Sequence, residues 1–105
     1  MSKYKIKFTK STIKDIASSK LWYNNKQAFL GEEFITEIFE FIYRIENDTI
    51  DYPVRYNRIV RKINLHRFPY SIFFSKNIEN KQIIIYAVLH QKRDIQQFIS
   101  RFPIE

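Results

Sequence analysis

Hydrophobic and charged residues alternate at the start of the chain. In residues 3–8, three lysines alternate with Tyr4, Ile6 and Phe8. A period of two is typical of a β-strand that buries one face. The exposed lysines favour a position at the edge of a sheet, where charge discourages pairing with another chain.

The second half of the chain contains three more stretches with a strand-like pattern. As a strand, residues 59–67 place Ile59, Arg61, Ile63, Leu65 and Arg67 on one face and Val60, Lys62, Asn64 and His66 on the other, and residues 70–76 follow directly after Pro69. Residues 82–90 are almost entirely apolar, which favours a central strand covered on both faces. Residues 93–101 are expected to form a short terminal helix or turn.

Two helices are predicted between the first strand and the others. Ser11 or Thr12 is a candidate N-cap for a helix that ends near residue 24. A broad apolar stripe at helical spacing predicts a second helix over residues 28–46. Gly31, the only glycine, lies in its first turn and permits a close approach of the two helices.

Residues 47–53 are predicted to be a turn and loop. The order of elements is then β-α-α-β-β-β-(α). The expected fold class is α+β, with a helical hairpin packed on a mostly antiparallel four-stranded sheet. A length of 105 residues suits one domain, residues 1–105.

Composition excludes several kinds of site. The chain has no cysteine, which rules out disulfides and cysteine-based zinc sites. We expect no metal, cofactor or small-molecule ligand, and no membrane span or signal peptide, because no apolar stretch is long enough. A cytoplasmic protein is therefore expected. The net charge of +7 favours a polyanion or an acidic protein as partner.

Several short segments occur in a characteristic order. The ParE-like branch of the RelE/ParE toxin superfamily has a WY…GLGxxF helical hairpin, then a basic strand, FPYxIxY and AVxHxxRD. This chain resembles that branch over most of its length, through Trp22-Tyr23, Leu30-Gly31-Glu32-Glu33-Phe34, Arg61-Lys62, Arg67-Phe68-Pro69-Tyr70-Ser71-Ile72-Phe73-Phe74 and Ala87-Val88-Leu89-His90-Gln91-Lys92-Arg93-Asp94.

The resemblance implies a toxin of a type II toxin–antitoxin, or plasmid stabilisation, system that a cognate antitoxin neutralises. ParE-like members bind a protein target, DNA gyrase, and this is the favoured interpretation. RelE-like members are endoribonucleases that cleave mRNA on the ribosome, which is the first alternative. A basic nucleic-acid-binding domain without toxin activity is the second.

Candidate catalytic residues follow from the nuclease alternative. Attack by a 2′-hydroxyl needs a base, cations that stabilise the phosphate and an acid for the leaving oxygen. RelE-like enzymes take these groups from lysines and arginines on the central strands and from a tyrosine or histidine near the C-terminus, and the positions here that match are Arg61, Arg67, His90 and Arg93. No tyrosine or histidine follows His90 near the C-terminus, however, and no carboxylate is evidently placed as a base. These gaps favour a protein without chemistry of its own, in which His90 is structural at a strand end.

Candidate partner-binding residues are Arg61, Lys62, Arg67, Arg93 and Trp22. The first three lie in a predicted strand that mixes cations with apolar residues, which suits the acidic, apolar tail of an antitoxin. For Trp22, stacking on a partner is possible, but packing inside the helical hairpin against Phe34 or Ile38 is the favoured interpretation.

Overall fold

A mixed sheet of five strands and two helices make up the part of the chain that the computed structural model describes, residues 3–47 and 52–103. Strand β1 is followed by helices α1 and α2, four further strands and two single turns of 3₁₀-helix. Their bounds are β1 Lys5–Phe8, α1 Lys10–Lys26, α2 Leu30–Asn47, β2 Val54–Tyr56, β3 Val60–Asn64, β4 Tyr70–Asn77, β5 Gln82–His90 and the turns Ile95–Gln97 and Ile99–Arg101.

The strands lie in the order β1-β5-β4-β3-β2, and only the pair β1 and β5 is parallel. The α+β class, the helical hairpin and the central place of β5 are confirmed. The predicted number of four strands is wrong, because β2 adds a fifth. It is three residues long, is interrupted by a bulge against β3 and lies between the predicted loop of residues 47–53 and the strand predicted from residue 59. Residues 48–51 of the predicted turn lie outside the described residues.

Strand β3 ends at Asn64, three residues before the predicted end. The chain turns there, since the N–H of Leu65 donates to the carbonyl of Tyr70 and the N–H of Tyr70 donates to the carbonyl of Phe68, both at 2.8 Å. Arg67 therefore lies in a loop and not in the strand.

Helix α1 begins earlier than predicted, and its N-cap is Thr9 instead of Ser11 or Thr12. The Thr9 hydroxyl accepts from the N–H of Thr12 at 3.1 Å, as an N-cap does. The Thr12 hydroxyl is buried and donates to the carbonyl of Ile85 at 2.8 Å. This second bond ties the first turn of α1 to β5.

The two helices approach closely at Gly31, as predicted. Its N–H donates to the side chain of Asn24 at 2.6 Å. A Cβ at this position would lie 2.4 Å from the carbonyl oxygen of Lys20, so only glycine fits against α1.

The sheet is covered on both faces. On one face, α2 places Phe34, Ile38, Ile42 and other residues against the sheet, and each of these three is at most 2% exposed. On the other face, Phe98 and Phe102 from the C-terminal segment cover a smaller cluster. Each fully buried side chain of this size contributes about 1.5–3 kcal/mol. Phe39, on the same helix, is 53% exposed.

Because of a bulge, β5 contributes side chains to both hydrophobic clusters, one on each face of the sheet. Phe73 pairs with Ala87 and Phe74 pairs with Ile85, so Tyr86 is an extra residue. Tyr86 and Ala87 consequently both belong to the smaller cluster although they are consecutive. No helix among the described residues is long and apolar enough to cross a membrane.

Candidate functional site

Three of the candidate residues meet where β5 ends. Lys62 of β3, His90 of β5 and Arg93 just beyond β5 line one cavity of about 120 Å³. They lie together because β3, β4 and β5 are neighbours in the sheet. The remaining lining residues are polar or apolar and include no acid: Tyr56, Ser71, Phe73, Leu89, Gln91 and Ile95.

A second cavity, of about 210 Å³, adjoins the first on the side of α1. His90 and Arg93 line both cavities, and α1 contributes Lys14, Asp15 and two serines to the second. We call the two cavities together the β5-end groove.

His90 is held by its neighbours at the strand end. Its Nδ1 accepts from the N–H of Lys92 at 3.1 Å, and its ring lies edge-on to that of Tyr70, with the centroids 5.2 Å apart. This hydrogen bond uses the lone pair of Nδ1 and orients the ring at the strand end. The geometry agrees with the structural interpretation of His90.

Tyr70 is supported from behind by buried aromatic rings. Its ring lies 4.8 Å from that of Phe34 and 6.0 Å from that of Tyr23. Burial, and then the charge and hydrogen bond of Tyr70, raise the pKa of Tyr23 to about 12. The wall of the groove beneath His90 is thus backed by a buried aromatic cluster.

The cations of the groove lie on aromatic rings. The guanidinium of Arg93 is 4.7 Å from the ring centre of Phe98, and the ammonium of Lys62 is 5.9 Å from that of Phe73. Cation–π contacts restrain these side chains without neutralising them. Their charge stays available to an acidic partner.

Arg61 and Arg67, which the alternating pattern placed on one face with Ile63 and Leu65, are not part of this groove. The guanidinium of Arg61 donates to the carbonyl of Tyr52, and its side chain lines a separate cavity of about 370 Å³. Arg67 forms an ion pair with Glu33 on α2 at 2.6 Å. The four candidate catalytic residues therefore do not surround one phosphate.

Trp22 corrects a prediction of hairpin packing. It is 54% exposed, it meets the neighbouring Tyr23 edge-on at 5.0 Å, and Lys26 lies over its ring at 4.9 Å. Tyr23 takes the expected buried place, with its ring 5.4 Å from that of Phe34. Trp22 is thus an exposed surface residue that is not among the residues lining the β5-end groove.

Two important carboxylates were not among the candidates. Asp15 forms a two-pronged ion pair with Arg101, at 2.6 and 3.0 Å, and also accepts from the N–H of Val88 at 3.1 Å. This pair joins α1 to the C-terminal segment. The sequence carries no signal for it, since 86 residues separate the partners.

Glu37 is the second of these carboxylates. It is 8% exposed and accepts from the N–H groups of Arg67 and Phe68 at 2.8 and 3.0 Å. It fixes the loop between β3 and β4 to α2. The only signal that the sequence offers for Glu37 is its position on the predicted second helix.

The side chains of the groove are suited to binding. Among residues 3–47 and 52–103, no three acidic, histidine or cysteine side chains gather as metal ligands. Asp15 is occupied by Arg101, and Asp94 caps the following turn by accepting from the N–H of Gln96. Two cations beside apolar side chains can hold an acidic, partly apolar segment.

The comparisons with known proteins agree with this fold. Over residues 6–95 the chain matches the model of a family described as "ParE toxin of type II toxin-antitoxin system, parDE". The chain belongs to this family, which confirms the resemblance seen in its sequence.

A solved structure described as "Chromosomal ParDE TA system from P. aeruginosa" has a similar chain, with a TM-score of 0.70 and 18% sequence identity. The match covers 83% of this chain and 95% of that chain, and at this identity it shows a shared fold. No curated protein sequence is significantly similar to the chain.

Proposed function

We propose that this protein is a single-domain toxin that acts in the cytoplasm by binding a protein target, DNA gyrase, and that a cognate antitoxin neutralises it. In this proposal an acidic, apolar segment of the antitoxin lies in the β5-end groove. The observation that carries the proposal is the lining of that groove on the β3 side. Lys62 and Arg93 stand beside Leu89 and Ile95, with no acidic side chain lining the cavity on this side, and Asp15 of the adjoining cavity is paired with Arg101.

The mixture of side chains suits such a segment for physical reasons. Carboxylates of the partner would meet Lys62 and Arg93, which are held on aromatic rings but carry no acidic counter-ion there. Apolar side chains of the partner would cover Leu89 and Ile95. Charge complementarity gives specificity and a fast encounter, and apolar contact gives affinity.

The same geometry favours binding over RNA cleavage. The nuclease alternative needs a base and several cations around one phosphate. His90 has its Nδ1 occupied by the N–H of Lys92, and Asp15 is occupied by Arg101. Arg67 is paired with Glu33 on α2 and does not line the groove.

The experiment that separates the two functions compares wild-type protein with His90→Ala. Each is expressed from an inducible promoter, and growth, mRNA integrity and gyrase supercoiling with purified protein are measured. The proposal predicts that both proteins arrest growth and inhibit supercoiling while mRNA stays intact. Toxin-dependent mRNA cuts that disappear in His90→Ala would establish the nuclease instead.

A further inference from the structure

One edge of the molecule carries a row of five exposed lysines: Lys3, Lys5, Lys7, Lys10 and Lys14. The sequence has no aspartate or glutamate between the first and the last of them. None of the five forms an ion pair within the described parts of the chain. We call this row the lysine edge.

The row is continuous because β1 and α1 follow one another along the same side of β5. Strand β1 pairs with residues 82–85. Directly beyond, the Thr12 hydroxyl donates to the carbonyl of Ile85, and the Asp15 carboxylate accepts from the N–H of Val88. From the rise per residue of a strand and a helix, the row is about 20 Å long.

The lysines of β1 share one direction. Ile6 and Phe8 pack against the main core, so Lys5 and Lys7 project from the opposite face of the strand, and Lys3 lies two residues before it. Alternate residues of a strand lie about 6.6 Å apart. The result is a regular spacing of positive charge on a rigid support.

Protection of the sheet edge does not account for the whole row. Lysines on an edge strand do discourage pairing with other chains. Lys10 and Lys14, however, lie on a helix. Lys10 is its first residue, where the helix dipole disfavours positive charge, and the first turn has no acidic residue. Protection of the edge strand therefore explains neither of these two lysines.

We propose that the lysine edge binds the phosphate backbone of duplex nucleic acid without reading its sequence. Lysines provide point charges for phosphates, and contacts of this kind carry no sequence information. A row of about 20 Å spans roughly six base pairs, with one phosphate per strand every 3.4 Å. An added peptide strand fits less well, because β1 is four residues long and α1 occupies the edge of β5 beyond it.

The test is fluorescence anisotropy of a labelled 20-base-pair DNA duplex of arbitrary sequence, titrated with purified protein at 50–200 mM salt. Five phosphate contacts predict that affinity falls about 500-fold over this range. The variant Lys3→Gln/Lys5→Gln/Lys7→Gln keeps two contacts and should bind more weakly at 50 mM salt, with a fall of only about 12-fold. The variant Lys10→Gln/Lys14→Gln keeps three, for a fall of about 40-fold.

The matched control is Lys20→Gln/Lys26→Gln/Arg44→Gln, which removes the same charge from elsewhere on the helices and should keep the wild-type salt dependence. Equal weakening in the control and the β1 variant would overturn the proposal, since net charge alone would then explain binding. No binding of the duplex at 50 mM salt, or preferential binding of poly-glutamate or of phosphatidylserine vesicles, would also overturn it. The assay needs neither antitoxin nor gyrase, so its result is independent of the proposed function.

Discussion

Replacing Gly31 by alanine should destabilise the protein although alanine is the better helix former. The added Cβ would lie 2.4 Å from the backbone oxygen of Lys20 and 2.8 Å from two side-chain atoms of Asn24, against 3.4–4 Å in ordinary contact. The Lys20 carbonyl belongs to the middle of α1 and cannot turn away. Helix α2 must therefore move outward, which also stretches the 2.6 Å hydrogen bond from Gly31 to Asn24.

The magnitude follows from three opposing effects. Alanine gains about 0.5–1 kcal/mol over glycine in a helix. Overpacking of a tight contact costs about 1–3 kcal/mol, and the weakened hydrogen bond costs about 0.5–1.5 kcal/mol. We expect Gly31→Ala to lower the free energy of unfolding by about 1–3 kcal/mol, which corresponds to roughly 4–8 °C in Tm for each kcal/mol.

Urea denaturation followed by circular dichroism measures this change. The variant Asn24→Ala removes the 2.8 Å contacts but leaves the Lys20 oxygen in place. The double variant Asn24→Ala/Gly31→Ala should therefore remain clearly less stable than Asn24→Ala alone. If Gly31→Ala proves neutral or stabilising, the close approach of α1 and α2 has been misinterpreted.

Three other contacts give measurable outcomes. Because the pKa of Tyr23 is raised from 10.0 to about 12, the unfolded chain releases this proton first, and stability should fall as pH rises from 10 to 12. Tyr23→Phe should flatten that fall in urea melts; an identical fall would contradict it. Glu37→Ala should cost about 2–4 kcal/mol in urea, because two backbone N–H groups lose their acceptor. Glu37→Gln should cost less, and equal losses would refute this. Arg101→Ala should speed proteolysis of the C-terminal segment, because the pair with Asp15 is lost; an unchanged cleavage rate would refute the anchoring.

Strong periodicity made the larger elements predictable. The apolar run of β5 indicated a central strand, and its observed bounds agree with the prediction. The stripe of α2 and the lone Gly31 indicated the packed hairpin. Strand β2 was not predicted, because three mostly exposed residues are too few to show alternation. The N-cap was misplaced because Thr9, Ser11 and Thr12 all suit a cap, and only the contact of Thr12 with Ile85 decides between them.

The candidate site was predictable only in part. The pattern of β3 indicated Lys62, and the end of β5 indicated His90 and Arg93. The predicted strand extended the alternating pattern beyond Asn64, however, and therefore placed Arg67 on the same strand face as Arg61. The turn at Leu65 comes from bonds to the next strand, which a local pattern does not contain. The pair of Asp15 and Arg101 depends on tertiary structure for the same reason.

The most direct test of the account is the affinity of the antitoxin for the β5-end groove, measured by calorimetry with the product of the adjacent open reading frame. Reversing two groove charges in Lys62→Glu/Arg93→Glu should weaken binding about 100-fold. The control Lys26→Glu/Arg44→Glu, which makes the same change of charge outside the groove, should bind nearly as wild type. Unchanged affinity in the groove variant, or equal losses in both, would contradict the proposed place of the antitoxin.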